Sequence, residues 1–174
     1  MPELFTVGHS TRSYMEFVDL IKAHQINHII DVRTIPKSRT VPWFNKEEFA
    51  KSLAHQKVAY THLAKLGGLR KTDKNSINMG WRNASFRGFA DYMQTENFRE
   101  GLEELNEILT NFKGAILCAE AVPWRCHRSL ISDAELVRGY TVWHIMSKTT
   151  ANLHHLTSFA VVDKSQNPIR IYYP

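Results

Sequence analysis

The chain has 174 residues, of which 43% are hydrophobic and 22% are charged, and its formal net charge at pH 7 is +5. This length and composition fit one globular domain and exclude fibrous, low-complexity and disordered proteins. No apolar run approaches the roughly 18 residues of a membrane span, the N-terminus lacks a signal-peptide pattern, and the cysteines are too few for a disulfide framework. We therefore expect a cytoplasmic protein without a membrane partner.

The first elements alternate between strand and helix. Residues 4–7 form an apolar run that predicts a strand. Ser13 and Glu16 then have the spacing of a capping box, in which a hydroxyl and a carboxylate bond to free backbone amides at the start of a helix. The predicted helix presents one apolar face, which consists of Tyr14, Phe17, Val18 and Ile21.

The same alternation continues through the middle of the chain. Residues 28–32 and 58–62 predict the second and third strands, and a helix that begins near Asn45 connects them. Residues 86–93 predict a short helix. Thr95 is expected to cap the longer helix that follows, because threonine at this position accepts a bond from a free backbone amide.

The later elements decide the predicted fold class. Residues 114–118 form an apolar run typical of a central strand, residues 127–138 predict a helix, and residues 141–145 predict a fifth strand. Strands that alternate with helices predict an α/β fold with three layers, in which helices flank a mostly parallel sheet. We expect residues 1–174 to form a single domain, with its motifs between about residues 6 and 146.

The tail, residues 147–174, has a different pattern. Residues 159–162 and 169–173 flank the segment KSQNP, which predicts a C-terminal β-hairpin. The tail is therefore predicted to contain a strand, a turn and a second strand. We expect His154 and His155 to lie on its surface.

Polar and reactive side chains gather where the predicted strands end. They are His9, Ser10 and Arg12 after the first strand, Asp31, Arg33 and Arg39 after the second, and Cys118, Glu120, Cys126, His127 and Arg128 after the fourth. In an open α/β sheet, ligands bind in the crevice beyond the carboxyl ends of the strands. The pattern therefore predicts a site at this edge.

Four motifs make the chain recognisable. They are GHST at residues 8–11, DVR with P-x-S-R at residues 31–39, LGG at residues 66–68, and C-A-E-x-x-P-x-x-C-H-R at residues 118–128. Together they resemble the bacterial domain of unknown function 488 family, and the last motif matches at every fixed position. The resemblance implies a small cytoplasmic α/β protein without a settled activity. Some family members are loosely labelled as related to DNA repair.

The arginines indicate a site for an anion. Guanidinium groups repel one another unless a negative charge lies between them. Arg33, Arg39 and Arg128 are expected to clamp the ligand, with Arg12 close by. Further candidate ligand-binding residues are Ser10, Cys118 and His127. The alternative is a purely structural network in which Asp31 and Glu120 neutralise Arg33 and Arg128.

Three residues are candidates for catalysis. His9, Glu120 and Cys126 have side chains suited to proton transfer or nucleophilic attack. Cys126 precedes a predicted helix and two basic residues, and both features lower the pKa of a thiol. A structural role for the Cys126 thiol is the alternative. A fold that brings Cys118 and Cys126 together would also allow a reversible disulfide or a metal site, although no metal-ligand spacing is present.

The favoured function is binding of an anionic ligand, namely a phosphate-bearing small molecule, a nucleotide or a nucleic acid. Two alternatives stay open. One is a nucleic-acid-associated binding protein without catalysis, whose basic loops at residues 33–46 and 65–88 contact the backbone. The other is a thiol-redox or metal site on Cys118 and Cys126. No cofactor is indicated, since the chain has neither a P-loop nor a G-x-G-x-x-G motif.

Overall fold

The computed structural model describes residues 2–167 and 169–174. Its strands, in chain order, are β1 (Glu3–Gly8), β2 (His28–Asp31), β3 (Ala59–His62), β4 (Gly114–Cys118), β5 (Thr141–Ile145), β6 (Ala151–Leu153), β7 (Val161–Asp163) and β8 (Arg170–Tyr172). The first six form one sheet in the order β3-β2-β4-β1-β5-β6, in which only β6 is antiparallel to its neighbour. The last two form a separate antiparallel hairpin.

Helices cover both faces of this sheet. They are α1 (Tyr14–Ala23), α2 (Lys46–His55), α3 (Ala84–Tyr92), α4 (Glu96–Leu109) and α5 (Arg128–Val137). The architecture confirms the predicted α/β class with a mostly parallel sheet, flanking helices and a C-terminal hairpin. Within the part of the chain that the structure describes, no helix combines the length and the apolar composition needed to cross a bilayer.

Alternation along the strands divides the core between the two faces. Phe5, Ile29 and Leu117 face α1 and α2, where the phenylalanines of those helices pack. Ile30 and Ile116, one position along, face α3, α4 and α5. Both faces of the central strands are therefore buried, which is why the segment GAILC is apolar throughout.

Local sequence signals set the starts of two helices. Ser13 Oγ accepts from the Glu16 amide at 3.1 Å, and the Glu16 carboxylate accepts from the Ser13 amide at 2.9 Å, which confirms the capping box. Thr95 Oγ1 accepts from the Phe98 amide at 3.3 Å and caps α4. Asn45 also directly precedes its helix, but its side chain accepts from the Ser38 amide instead and thus holds the preceding loop.

The tail departs from the prediction in two ways. Before the predicted hairpin, which is formed by β7 and β8, the additional strand β6 extends the main sheet beside β5. The prediction that His154 lies on the surface is wrong: its side chain is 8% exposed and hydrogen bonds to Asp133 at 2.7 Å. His155 is exposed, as expected. Pro168, in the predicted KSQNP turn, lies outside the described residues.

Candidate functional site

Strands β1, β2 and β4 end side by side at one edge of the sheet. Gly8 of β1 pairs with Cys118 of β4, and Asp31 of β2 pairs with Leu117. The β4–α5 loop, residues 119–127, crosses directly over the end of β1. A Cβ at Gly8 would lie 1.7 Å from the Glu120 carbonyl oxygen, so only glycine permits this crossing.

Asp31 and Arg33 form a buried ion pair below this edge. Arg33 Nε donates to Asp31 Oδ1 at 2.9 Å, and Arg33 Nη2 donates to Oδ2 at 2.7 Å. The same guanidinium donates to the Phe44 carbonyl at 2.6 Å, and Tyr60 donates its hydroxyl to Asp31. The Asp31 carboxylate thus neutralises Arg33. This pairing is the one expected if Arg33 belongs to a structural network and does not bind a ligand.

His9 lies next to this ion pair and is 3% exposed. Its ring stacks on Phe44 with the centroids 4.7 Å apart. Nδ1 donates to the Ser10 carbonyl at 2.8 Å, which leaves the Nε2 lone pair facing Arg33 Nη1 at 3.4 Å. Burial, together with the Arg33 charge, lowers the pKa of His9. The imidazole is therefore a neutral base whose free nitrogen faces a guanidinium.

The two cysteines meet at the start of α5. Cys118 ends β4, Cys126 precedes α5, and their buried, unoxidised sulfurs lie within hydrogen-bonding range of each other. Burial favours the neutral form of both thiols. Cys118 Sγ donates to the Glu120 carbonyl oxygen at 3.7 Å. The neighbouring Cys126 and the charge of Arg128 outweigh burial and lower the pKa of Cys118. Burial and the neighbouring Cys118 raise the pKa of Cys126 well above its usual value. Cys118 is therefore the more acidic thiol, whereas the sequence directed attention to Cys126.

His127 is held in one tautomer by two carbonyl groups. Its Nε2 lies 2.9 Å from the Val32 oxygen and 3.0 Å from the Leu66 oxygen, so Nε2 carries the proton. Nδ1 is then an acceptor and lies 3.5 Å from the Cys126 sulfur. Burial lowers the pKa of His127 to about 4, so the ring is neutral. A Cβ at Gly68 would lie 2.6 Å from Nδ1, which explains why the LGG motif accompanies the histidine.

Arg128 is fully buried and incompletely paired. Its Nη2 donates to the Ala121 carbonyl at 3.2 Å, whereas Nε and Nη1 have no hydrogen-bond partner among the described residues. Glu120 is exposed, and in the described chain it forms no ion pair with Arg128. A buried guanidinium without an anion costs several kcal/mol. The Cys118 thiol lies close to it, and the Arg128 charge lowers the pKa of that thiol.

A cavity of about 330 Å³ opens above the cysteines. Cys118, Cys126 and His127 line it together with residues from three other segments, which are Arg33, Thr34, Ile35, Lys37, Gly68, Leu69, Ser85, Phe86, Ala119, Glu120 and Arg125. This volume suits a small-molecule ligand. Ile35 and Leu69 are 62% and 69% exposed, so the wall combines apolar surface with the charges of Lys37 and Arg125.

The predicted site residues fall into three groups. Those that line the cavity are Arg33, Cys118, Glu120, Cys126 and His127. His9 and Arg128 are buried behind it, where Arg128 Nη1 lies close to Gly8. Arg12, Ser10 and Arg39 lie outside it: Arg12 donates to the Gly8 carbonyl, the Ser10 amide donates to the Ala119 carbonyl at 2.9 Å, and Arg39 is exposed.

Sequence reasoning did not identify several residues of this site. Tyr60 completes the Asp31 pair, and Ser85 and Phe86 reach the cavity from the start of α3. Tyr60 could have been identified only from the strand register that pairs it with Ile29, and this register is known only once the sheet is assembled. Within residues 2–167 and 169–174, no three His, Cys, Asp or Glu side chains gather in a way that could hold a metal ion.

The family model described as domain of unknown function DUF488 matches residues 13–135. Comparisons with curated proteins and with solved structures find no match. The matched range contains the DVR, LGG and CHR motifs, and therefore the strand ends β2 and β4 and most of α5. Because this range is more than half of the chain, the protein belongs to the DUF488 family.

Proposed function

We propose that the protein is an enzyme that uses the Cys118 thiolate as a nucleophile on a small, phosphate-bearing substrate bound in the strand-end cavity. The observation that carries this proposal is the buried Arg128 guanidinium, of which two nitrogens lack a partner in the described chain. A thiolate at Cys118 provides the countercharge, and Arg128 in turn lowers the pKa of that thiol. The DUF488 family assigns no activity, so the proposal depends on this geometry.

The charges around the cavity favour an anionic substrate. Arg33, Lys37 and Arg125 line the cavity, whereas Glu120 carries the one carboxylate among the described lining residues. Arg33 already pairs with Asp31 behind the wall. Lys37 and Arg125 are exposed at the cavity and form no ion pair in the described chain. They are therefore available to bind a phosphate group. Ile35, Leu69 and Phe86 supply apolar surface for the remainder of the substrate, as a nucleotide base would require.

Each residue of the proposed site has its own role. Cys118 attacks the electrophilic centre, and the Arg128 charge, which lowers the pKa of the Cys118 thiol, favours the attacking thiolate. Lys37 and Arg125 orient the anionic group. Glu120, an exposed carboxylate in the cavity wall, exchanges a proton with the leaving group or with water. Arg33 and His9 keep the end of β2 in position, since their polar atoms are occupied by Asp31, Phe44 and each other.

Alkylation of the reduced protein tests the nucleophile. We expect iodoacetamide to modify Cys118 with a half-maximal rate well below pH 8.5, about where an ordinary cysteine ionises. Cys126 should react at least tenfold more slowly. Arg128→Met should move the Cys118 profile to higher pH, whereas Arg128→Lys, which retains the positive charge, should move it less. An unchanged profile in both folded variants would contradict the proposed role of Arg128.

The charge of the reagent tests the preference for anions. Iodoacetate and iodoacetamide differ in one negative charge, so the ratio of their rates at Cys118 reports the local potential. We expect this ratio to fall several-fold in Lys37→Ala and in Arg125→Ala. Lys71→Ala is the matched control, because Lys71 is also an exposed cation but does not line the cavity. Equal ratios in all three variants would argue against anion binding at this site.

A further inference from the structure

The two cysteines form a pair that lines the cavity. The β4–α5 loop folds back so that the sulfurs of Cys118 and Cys126 come within hydrogen-bonding range. Cys118 is 3% exposed and Cys126 is 5% exposed, and both line the same cavity of about 330 Å³. A small reagent can enter this space, whereas the thiol of another protein cannot approach either sulfur closely.

The surroundings assign a different role to each sulfur. Cys118 lies beside Arg128 and next to Cys126, and both neighbours lower the pKa of its thiol, so Cys118 is the thiol that meets an oxidant first. The Cys126 sulfur lies 3.5 Å from His127 Nδ1, which accepts from its thiol, and burial together with Cys118 raises the pKa of Cys126. The neutral thiol is thus fixed next to the reactive one.

We propose that a hydroperoxide converts Cys118 and Cys126 into a reversible disulfide that switches the site off. In the first step the Cys118 thiolate attacks the outer peroxide oxygen, an S–O bond forms, the O–O bond breaks, and the alcohol or water leaves after taking up a proton. In the second step the Cys126 sulfur attacks Cys118, the S–S bond forms, and the S–O bond breaks. Hydroxide leaves with the Cys126 proton as water. The peroxide is reduced and two thiols are oxidised.

The disulfide would have two consequences at the site. Both sulfurs line the cavity, so the bond removes the nucleophile from the pocket and protects Cys118 from irreversible oxidation to a sulfinic acid. It also removes the acidic thiol beside Arg128. Small thiols that enter the cavity should reduce the disulfide by attacking one of its sulfurs.

Mass spectrometry of the full-length protein after hydrogen peroxide treatment tests this inference. We expect a monomer that has lost two hydrogen atoms, resists alkylation after unfolding, and regains both thiols with dithiothreitol. A peptide that links Cys118 to Cys126 should be present after digestion. Sulfinic acid at Cys118 without this peptide, or a disulfide between two chains, would overturn the inference.

Matched variants separate the two cysteines. In Cys126→Ser we expect Cys118 to be oxidised without forming a disulfide, with at least tenfold more sulfenic acid trapped by dimedone than in wild type. Cys126→Ala should accumulate sulfenic acid in the same way if the serine variant does not fold. In Cys118→Ser, Cys126 should remain a free thiol at the same peroxide dose. Equal oxidation of Cys126 in wild type and Cys118→Ser would contradict the assigned order of the two steps.

The regulatory meaning of this bond rests on the proposed function, but its formation does not. If Cys118 is alkylated like an ordinary thiol and yet forms the internal disulfide, the proposed nucleophile fails and the redox pair stands. If Cys118 is acidic and anion-selective but no disulfide forms, only the redox pair fails. Alkylation and peroxide oxidation therefore distinguish failure of the nucleophile from failure of the disulfide.

Discussion

At the scale of single residues, the crossing of the β4–α5 loop over β1 depends on Gly8. The His9 and Ser10 amides donate to the Cys118 and Ala119 carbonyls at 3.0 and 2.9 Å, so the two chains run in contact beyond the end of the sheet. A side chain at Gly8 would also approach Arg128 Nη1 to 3.0 Å. One residue thereby determines both the position of the loop and the space for the buried guanidinium.

We expect Gly8→Ala to destabilise the protein strongly. Its Cβ would meet a backbone oxygen at 1.7 Å, which no rotation of a side chain can relieve, so the cost should reach or exceed about 3 kcal/mol. Gly139→Ala is the control, because that glycine has φ +101° but open space around its Cβ, and should cost about 1 kcal/mol. Urea unfolding at equilibrium measures both values. If both variants lose the same stability, the contact with the Glu120 carbonyl is not what destabilises Gly8→Ala.

At the scale of elements, helices α4 and α5 enclose a carboxyl group between them. Glu135 has no exposed surface, its Oε2 accepts from Asn106, and burial raises its pKa to about 7. In the unfolded chain this carboxyl ionises near its ordinary value, so the folded state binds more protons between roughly pH 4.5 and 7. Stability should therefore fall as the pH rises through this window.

Glu135→Gln should remove this pH dependence. Between pH 5 and pH 8, wild type should lose up to about 3 kcal/mol of its free energy of unfolding, because the folded protein must ionise a buried carboxyl. Glu135→Gln has no such carboxyl and should not show this loss. Glu107→Gln, an exposed position on α4, is the control and should follow wild type. Urea unfolding of wild type and both variants at the two pH values gives the three differences. Parallel behaviour of Glu135→Gln and wild type would exclude Glu135 as the group responsible.

The C-terminal hairpin is attached to α5 by a second buried carboxylate. Asp133 accepts from His154 Nε2 at 2.7 Å, from Thr157 Oγ1 at 2.7 Å and from the Tyr173 hydroxyl at 2.8 Å. His154 in turn contacts His144 at 2.8 Å. Burial lowers the pKa of His144 to about 3, so this ring is neutral. The tail is thus bound to the domain by polar contacts as well as by its apolar residues.

Tyr173→Phe should weaken this attachment. It removes a hydrogen bond to a buried carboxylate, which is worth about 2 kcal/mol, and it leaves the ring in place. Tyr172→Phe is the matched control, because the Tyr172 hydroxyl makes no hydrogen bond in the described chain, and should change stability by less than about 0.5 kcal/mol. Thermal unfolding and protease cleavage after β6 report the effect. If Tyr173→Phe changes neither the unfolding temperature nor the cleavage, Asp133 does not hold the hairpin.

The elements that sequence predicted well depend on local patterns. The capping box at Ser13, the cap at Thr95 and the apolar run of β4 each carry their signal within a few residues. β6 and the burial of His154 were missed because their partners, β5 and Asp133, are distant in the chain. The gathering of polar side chains at the strand ends was predicted by the same local reasoning.

The environment of each side chain at that site was not accessible from sequence. The Arg33 guanidinium pairs with Asp31, and Arg128 is buried beside Cys118 rather than exposed to a ligand. Both outcomes follow from the strand order, which inserts β4 between β2 and β1. Residue types at strand ends therefore indicate where polar side chains gather, while the packing of the sheet decides which of them line the cavity and which are buried behind it.

At the scale of the whole molecule, the fold holds three of the six cationic side chains of the basic segment at residues 65–88 in internal contacts. Lys65 pairs with Glu100 and Glu104 of the acidic helix α4, at 2.9 and 3.3 Å. Arg70 binds the carbonyls of the preceding turn and stacks on Tyr92, and Arg87 donates to the Trp81 carbonyl at 3.0 Å. The exposed cations that remain are Lys71, Lys74 and Arg82.

This remaining charge limits what the basic segment at residues 65–88 can contribute to binding nucleic acid. Three phosphate contacts on a single strand give a slope of log affinity against log salt of about −2, far below that of dedicated DNA-binding proteins. Changing Lys71 and Lys74 together to alanine should reduce that slope by about 1.4, since each contact contributes about 0.7. Fluorescence anisotropy with a labelled single-stranded oligonucleotide measures it across a salt series.

Lys148→Ala is the control for that experiment, because Lys148 is exposed in the tail, away from the basic segment in sequence. A slope near −2 that responds to Lys71 and Lys74 but not to Lys148 would mean that this segment contacts the strand weakly. A slope steeper than about −5 would need more phosphate contacts than the segment has free cations. It would favour the nucleic-acid-binding alternative over a small substrate in the cavity. The cavity variants Lys37→Ala and Arg125→Ala then distinguish a strand that enters the pocket from one that passes it.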